Sequence, residues 1–536
     1  MRDIHSMARS SVRFVDSAVE EGFDKLREIV GGPARLRVIV LLACVLGLDS
    51  ADQGAIGAVA PSLERSLHIS NVELGLLITV TSLVGAAATI PMGNYVDRTR
   101  RVRLVAGAII LWALAEAVSA VSVDYTMLVI TRVALGAVTA VAAPAVASLV
   151  GDLFPASDRG RIYGFIVTGE ILGAGFGVLV AGLVSGGFGW RPAIGILALP
   201  SFALAYALLR YLPEPARGGH SWIVADAEEI PATREAPDTE SPAFGSESPD
   251  APRDGQAAPL REEVERQDIA PVDEIVLDED PSGWSLRQAI RYVVRVRTNV
   301  VMIVASSLGY FFYAGLKTFA VLFVRGHYHV SQSVTVSLII LVGAGAVAGV
   351  IVGGRLADRR IERHHLTARV NVGIVGYCVA ALVLAPALLT TNLFIAIPLI
   401  MVGAAGIAAP NATLDAARLD VIPSQLWGRA EAVRTVLRTS LEAFAPLIFG
   451  LISEVFGSSK GGFGVVGGGL HSAGASAAEV SGLGDAFLIM LVPLFFSGLL
   501  LIWARRTYPT DVASASESQR AVAERLSERE ERTVAA

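Results

Sequence analysis

Residues 93–98 read Gly-Asn-Tyr-Val-Asp-Arg and residues 354–359 read Gly-Arg-Leu-Ala-Asp-Arg, so both follow the pattern Gly-x-x-x-Asp-Arg. A second pair of segments, residues 152–161 and 420–429, shares the pattern Asp-x-x-Pro-x-x-x-x-Gly-Arg. The first pair is 261 residues apart (354 − 93 = 261) and the second is 268 apart (420 − 152 = 268). This near-constant spacing indicates that one unit was duplicated. Each motif lies between long apolar runs, and duplicated membrane bundles are typical of secondary transporters.

The composition is that of a membrane protein. Of 536 residues, 53% are hydrophobic and 18% are charged, and the mean hydropathy is +0.56. Soluble domains carry about 25% charged residues. The apolar runs are about 20 residues long, the length of a membrane-spanning helix, and they lack the alternation of a membrane barrel. Cys44 and Cys378 both lie in apolar runs, so they predict neither a disulfide framework nor a metal site.

The pattern predicts an all-α membrane protein with twelve transmembrane helices in two pseudo-symmetric six-helix halves. Its five regions are a cytoplasmic amphipathic helix (1–35), the N-terminal half (36–212), an acidic disordered linker ending in a surface helix at 285–297 (213–295), the C-terminal half (296–506) and a charged tail (507–536). The predicted spans lie near 36–59, 72–95, 103–121, 125–150, 161–184, 190–212, 296–324, 333–357, 367–389, 392–417, 428–455 and 484–505.

Arginine residues fix the expected orientation. They are concentrated in the loops that follow the second, fourth, eighth and tenth spans, and the opposite loops carry few. The positive-inside rule then places both termini in the cytoplasm, as expected for a bacterial inner-membrane protein. The linker is either a solvated tether or a partner-binding segment, and the Gly-rich outer loop 457–482 is either a spacer or a lid. The net charge of −6 comes largely from the linker and does not indicate nucleic-acid binding.

The chain resembles the major facilitator superfamily over nearly all of its length outside the tails and the linker. The signature of that family between its second and third helices is Gly-x-x-x-Asp-Arg followed by further basic residues. In the family these segments act as a conformational gate, in which glycine allows close helix packing and aspartate meets arginines or helix N-termini. The residues that match are Gly93, Asp97, Arg98, Arg101, Gly354, Asp358 and Arg359.

A narrower resemblance is to the Spinster-type lipid transporters. Residues 52–53, 60–61, 67–70 and 75–76 carry it, together with Arg132 in the fourth helix. In that group an Asp-Arg pair stands where this chain has Asp-Gln at residues 52–53. The resemblance implies an amphipathic, lysolipid-like or drug-like substrate, and a small organic acid is the alternative.

Three charged residues lie at a similar depth inside the predicted bilayer. Asp52, Arg132 and Lys317 are each eight or nine residues from the outer end of a helix, counting from Pro61, Asp124 and Arg325. A charge near the bilayer centre costs at least about 2.5–3.5 kcal/mol, so each one needs a reason. In the superfamily that the chain resembles, the first, fourth, seventh and tenth helices line the central cavity, so the resemblance implies that the three side chains face one another across it. Asp52 is the candidate proton-binding group and Arg132 its partner; the alternative is a static ion pair.

Other polar side chains are candidates for coupling or substrate binding. Asp49 lies one turn from Asp52 and is either a second proton site or a partner of Arg132. Lys317 either binds an anionic group or extends to the membrane interface. The remaining candidate substrate contacts are Glu170, Asn411, Tyr310 and Tyr313.

Three further expectations concern single side chains. Glu116 lies near the outer end of the third helix and is expected to reach water. Arg434, Arg438 and Glu442 recur every four residues and are expected to pair with one another on one helix face. Asp415 is a candidate for the central cavity or an inner gate.

The sequence therefore predicts a secondary transporter that works by alternating access. It is expected to be a monomer coupled to the proton gradient, with a small-molecule or lipid substrate and no other cofactor or metal. No phosphate-binding loop, metal spacing or nucleophile motif points to an enzyme. A membrane sensor that signals through the linker is the alternative from another class.

Overall fold

The structure is a computed structural model, and it describes residues 27–28, 30–96, 99–154, 156–215, 223, 227, 258–281, 284–423, 426–458 and 477–535. The predicted amphipathic helix at 1–35 lies mostly outside these residues, and so does most of the outer loop 457–482. The helices are α1 (Pro33–Leu67), α2 (Asn71–Val96), α3 (Arg101–Ala120), α4 (Tyr125–Thr139), α5 (Ala142–Leu153), α6 (Ala156–Phe188), α7 (Trp190–Gly195), α8 (Ala198–Tyr211), α9 (Ala258–Arg266), α10 (Leu286–Arg295), α11 (Arg297–Tyr328), α12 (Gln332–Ile361), α13 (Ala368–Leu389), α14 (Leu393–Asp420), α15 (Trp427–Ser458) and α16 (Ala477–Ala535).

The helices form the predicted twelve-span layout. Eleven spans of the described residues are long and apolar enough to cross a membrane. The twelfth is α1, which is 35 residues long and is buried over most of its length inside the bundle. Two predicted spans are interrupted: the fourth consists of α4 and α5, and the sixth consists of α7 and α8. Each interrupted span still crosses the membrane once, because its two helices follow one another in a single apolar segment.

The duplication is visible in the backbone as well as in the motifs. α1 ends at His68 and α11 ends at His329, and both histidines have a left-handed φ of 53°. Two residues later Ser70 and Ser331 cap α2 and α12, because each side chain accepts a hydrogen bond from the main chain of the next helix. The histidines are again 261 residues apart (329 − 68 = 261).

Within the N-terminal half, α1 packs very closely against α6. A Cβ atom on Gly47 would lie 2.8 Å from the carbonyl oxygen of Gly169, which is closer than real Cβ contacts. Gly173 and Gly177 continue this contact along α6, whereas Gly175 faces open space. Small residues thus allow the two backbones to touch and hold α1 in the centre of the half.

The two halves meet at one end of the bundle, which we call the outer end because it carries the arginine-poor loops. A Cβ atom on Gly57 of α1 would lie 2.5 Å from the carbonyl oxygen of Lys317 in α11. Asn71 donates to Ser453 over 3.0 Å, and Gln332 donates to the α1 main chain over 2.8 Å. Hydrogen bonds between described residues of the two halves lie at this end or at the centre. The protein is therefore closed at its outer end.

The second part of the linker is folded, contrary to the disorder predicted for 213–283. Residues 258–281, which we call the strap, contain α9 and a short 3₁₀ turn and pack against the inner extension of α16. Leu260, Val264 and Ile275 are buried there. Ser514 and Ser518 of α16 accept hydrogen bonds from strap main-chain N–H groups at 2.8 and 2.9 Å.

The predicted surface helix and tail also have defined forms. α10 begins after Ser285, whose side chain and that of Gln288 cap it reciprocally. The predicted tail at 507–536 is not a separate segment, because α16 continues without a break to Ala535. The strap packs against this helix at Ser514 and Ser518, and Tyr508 and Val512 are buried.

Candidate functional site

A buried charge cluster joins α1, α3 and α4. Arg132 donates to Asp52 over 2.7 Å and to Glu116 over 3.2 Å. Only 1% of Arg132, 3% of Asp52 and none of Glu116 is exposed. Asp124 caps α4 by accepting a hydrogen bond from the main chain at 2.7 Å, and this cap sets the depth at which Arg132 enters the half. The predicted contact between Asp52 and Arg132 is present.

Glu116 corrects one sequence prediction. It was expected to reach water, and it is instead fully buried against Arg132. The outer end of α3 is covered by the α7 region, where Trp190 is buried and Arg191 donates to the carbonyl oxygen of Ser122 over 2.9 Å. Proximity to a helix end therefore does not expose this side chain.

A polar chain of three residues links the two halves next to this cluster. Lys317 of α11 donates to Gln53 of α1 at 2.5 Å, and Gln53 donates to Asp49 over 2.9 Å. Lys317 is expected to face Asp52 and Arg132; its hydrogen bond in the structure is to Gln53, the chain neighbour of Asp52, through which it is linked to Asp49. Lys317 is half-buried and points to the centre instead of extending to the interface.

Two small cavities lie on either side of the α1 carboxylates. One is lined by Asp52, Gln53 and Arg132 together with α2 side chains. The other is lined by Asp49 and by mostly apolar side chains of α1, α3, α4 and α5. Each carboxylate of α1 therefore borders a different space.

The C-terminal half brings aromatic and charged side chains to the same level. The guanidinium group of Arg438 stacks on the ring of Tyr310, with 4.4 Å between its carbon and the ring centroid. Lys317 lies 5.9 Å from the ring centroid of Tyr313, which is 41% exposed. Glu170 interacts electrostatically with Arg438 and Lys317 across the halves. Cations, carboxylates and rings thus line one central region.

The polar stripe on α15 does not pair with itself as predicted. Arg434 forms an ion pair with Asp415 of α14 over 3.2 Å, and Asp415 also binds Arg418 over 2.8 Å. Arg438 stacks on an aromatic ring instead. The stripe therefore ties α15 to neighbouring helices. Asn411 is half-buried one turn before Asp415 on α14.

The gate motifs are only partly described. Asp97, Arg98 and the surroundings of Gly93 lie outside the described residues. In the second copy, Asp358 and Arg359 are exposed. Gly354 was expected to allow close helix packing, but a Cβ atom there would meet nothing within 4 Å. Its neighbour Gly353 has that role, because a Cβ atom there would lie 2.8 Å from Ala409.

Arg101 braces the inner end of the N-terminal half. It is buried, forms an ion pair with Asp152, and donates to Ser148 over 2.9 Å. Glu214 accepts hydrogen bonds from the first two main-chain N–H groups of α3, at 2.9 and 2.8 Å, and from the Arg101 side chain. A carboxylate at a helix N-terminus is favourable. Arg101 is thus held within one half.

Sequence reasoning missed the counterpart of this brace in the other half. Arg369, at the start of α13, forms a buried ion pair with Asp420, and Tyr508 of α16 donates to the same carboxylate. The signal was available, since Arg369 lies 268 residues after Arg101 (369 − 101 = 268), the same spacing as the two aspartates. Each half therefore carries the same brace.

A sequence model of the Major Facilitator Superfamily matches residues 42–446, which is most of the chain. The chain belongs to this superfamily. It is a multi-pass membrane protein with a transporter fold, in which α1–α8 and α11–α16 form the two halves.

Solved transporter structures have the same fold. A bacterial homologue of the human lysosomal transporter Spinster, in an inward-facing and unoccupied conformation, aligns with a TM-score of 0.69 at 18% identity, covering 89% of this chain and 98% of the other. The same homologue in an inward-facing, occupied conformation gives 0.65 with the same identity and coverage. A D-xylose–proton symporter gives 0.57 at 14% identity, covering 86% of this chain and 98% of the symporter.

Proposed function

We propose that this protein is a proton-coupled transporter of an amphipathic or anionic organic solute, such as a lysolipid-like or drug-like compound. We place it as a monomer in a bacterial inner membrane, with both termini in the cytoplasm. The observation that carries the proposal is the Asp52–Arg132 ion pair, buried inside the N-terminal half at 2.7 Å. Ionisable residues inside a membrane protein mark ion or substrate paths by default.

The pair supplies a coupling step. When Asp52 binds a proton it loses its charge, and its attraction for Arg132 falls. Arg132 is then available to an anionic group of the substrate. Asp52 lines a narrow crevice between α1, α2 and α4, so widening of this crevice during alternating access would open a path for a proton to reach it. Alternating exposure of that space would let Asp52 take up the proton on one side and release it on the other.

The central cations supply the substrate contact. Lys317 binds Gln53 across the interface between the halves, and this neutral acceptor is weaker than a carboxylate or phosphate. An anionic substrate group would therefore displace Gln53 from Lys317 and loosen a contact that helps to close the outer end. Tyr313, exposed beside Lys317, offers an apolar surface for the rest of the solute.

The fold relatives support both parts of the proposal. One relative is a bacterial homologue of Spinster, the group that residues 52–76 of this chain resemble. Another is a D-xylose–proton symporter, which is proton-coupled by name. A symporter of a small organic acid is the alternative. Substrate size separates the two, since a small acid does not need the aromatic surface near Lys317.

The test uses purified protein in liposomes that contain a pH dye. Lysophospholipids, fatty acids, organic acids and cationic drugs are added in turn to wild type, Asp52→Asn and the control Asp124→Asn. The control makes the same chemical change at an exposed helix cap, where asparagine also caps well. We expect one substrate class to drive proton movement in wild type and in the control but not in Asp52→Asn.

Equal substrate flux in Asp52→Asn and wild type, with no proton movement in either, would make the ion pair structural. A sensor would behave in a third way. It would tolerate loss of Asp52 and Arg132 and would fail when the linker is removed.

A further inference from the structure

Glu116 has an environment that a permanently ionised carboxylate would not tolerate well. Its side chain is fully buried, and its Oε2 atom accepts one hydrogen bond from Arg132 over 3.2 Å. Its other oxygen, Oε1, is buried and accepts no hydrogen bond from any described residue. A buried charge without full hydrogen bonding is costly, so a neutral, protonated form fits this site better.

The charges of the cluster point to the same conclusion. Asp52 and Glu116 are both within ion-pairing distance of one guanidinium group, that of Arg132. With all three groups ionised, the cluster carries one net negative charge where almost no atom reaches solvent. One added proton makes it neutral, and low-dielectric surroundings favour that state.

The two carboxyl groups are held beside each other by one arginine. Asp52 pairs with Nη1 of Arg132 at 2.7 Å and Glu116 pairs with Nη2 of the same guanidinium group at 3.2 Å, which holds the two carboxyl groups close together. Two carboxylates this close repel, whereas a carboxylic acid can donate to a carboxylate, so the arrangement is favourable when one of them holds a proton. The arrangement is that of two acidic groups that share one proton because they cannot both ionise.

We propose that Glu116 and Asp52 form a single proton-binding site in which one proton is shared beside Arg132. The inference rests on the proposed proton coupling and adds a residue to it. In the transfer, the O–H bond of one carboxyl group breaks as the O–H bond of the other forms. The proton is the only species that moves, and no redox step is involved.

The two carboxyl groups differ in their access to the crevice beside α1. Asp52 lines the crevice between α1, α2 and α4, whereas Glu116 is fully buried and does not line it. Asp52 is therefore the point at which the proton enters and leaves, and Glu116 is the group that keeps it inside the half. A single carboxylate would neutralise the charge of Arg132 without binding a proton. The second carboxylate adds one negative charge, and this excess charge gives the cluster its affinity for a proton.

No other charged group competes for Glu116 among the described residues around it. Asp52 faces it from α1 and Arg132 from α4, and Asp49 lies one turn beyond Asp52. The helices α7 and α8 pack on its other side. Their arginines lie away from the site, because Arg191 binds at the outer end and Arg210 stacks on Tyr211 near the opposite end.

Infrared spectroscopy of the substrate-free protein tests the site without transport. Purified wild type, Glu116→Gln, Asp52→Asn and Arg132→Met are reconstituted in lipid, and the absorption of protonated carboxyl groups is measured at neutral pH. We expect a band in wild type that is missing from both Glu116→Gln and Asp52→Asn, because each retains one carboxylate balanced by Arg132. We expect the band to grow in Arg132→Met, because two acids are then buried without a cation.

The amide variants preserve the shape of the site. Elution volume in size-exclusion chromatography and circular dichroism identify any variant that misfolds. If an amide variant misfolds, Arg132→Met remains as an independent test. A Glu116→Gln spectrum identical to wild type would overturn the proposal. So would a band that is lost only in Glu116→Gln, because the proton would then belong to one residue. The infrared spectra test the shared site, and the liposome assay tests proton coupling. A band that both amide variants lose, without substrate-driven proton movement in liposomes, would support the shared site and refute the proposed function.

Discussion

The brace formed by Arg369, Asp420 and Tyr508 allows a prediction of how substitutions change the free energy of unfolding, because its charges are buried. Arg369 and Asp420 have side chains that are 6% and 5% exposed. Arg369→Met would remove the Arg369 cation from the buried Asp420 carboxylate. Breaking such a pair costs about 3–5 kcal/mol. We expect the lower end of this range, because the Tyr508 hydroxyl still donates to Asp420.

A second substitution should restore part of this loss. Arg369→Met combined with Asp420→Asn removes both charges of this pair and keeps an acceptor for Tyr508. Replacing a buried ion pair by neutral groups is often close to neutral in stability. We therefore expect the double variant to be more stable than Arg369→Met alone by about 2 kcal/mol.

Reversible denaturant unfolding of the purified protein in micelles measures both differences. Arg360→Met is the matched control, because Arg360 is exposed at the end of α12, nine residues before Arg369, and should change stability by less than about 0.5 kcal/mol. A double variant no more stable than Arg369→Met would show that uncompensated charge is not the cause of the loss. A single variant as stable as the control would show that the brace contributes nothing.

Three further predictions concern the strap, the outer contact and substrate binding. Hydrogen bonds, the largest from Arg266, lower the pKa of Glu263 from 4.5 to about 2, so their stabilisation is complete above pH 4.5 and is lost as the pH falls toward about 2. Pepsin should therefore cleave the strap more readily across that range, and Glu263→Gln should abolish this dependence. Gly57→Leu should prevent outer closure and abolish transport, with outer cysteine labels becoming accessible, whereas Gly175→Leu, on an open face, should do neither. Lys317→Met should weaken binding of an anionic substrate in equilibrium titration by about tenfold or more, since a hydrogen bond to a charged group is worth about 1.5–3 kcal/mol; unchanged affinity would remove it from the site.

The sequence predicted the helices and the central ion pair because both follow from position along the chain. Spans are set by apolar length, and the depths of Asp52 and Arg132 can be counted from the ends of α1 and α4. Glu116 was misjudged by the same count. Its burial depends on the α7 region covering the end of α3, and no local pattern encodes which helix covers which.

The strap was missed for a related reason. Its composition is polar enough for disorder, and only a few apolar side chains, such as Leu260 and Val264, are available for packing. They are sufficient because α16 extends beyond the membrane and offers Ser514 and Ser518 to the strap backbone. A sequence shows the apolar residues but not the surface that receives them. Arg369, in contrast, could have been found from the repeat spacing.

The contacts that close the outer end are made largely by the main chain. Gly57 meets the carbonyl oxygen of Lys317, Gly75 meets that of Pro446, and a Cβ atom on Gly450 would lie 2.5 Å from the carbonyl oxygen of Asn71. Such a seal depends on shape and van der Waals contact and contains few mobile charges. Its strength should therefore change little with ionic strength. A barrier of this kind depends little on the central side chains other than Lys317 and Gln53, so the others can diverge toward new substrates without loosening the seal.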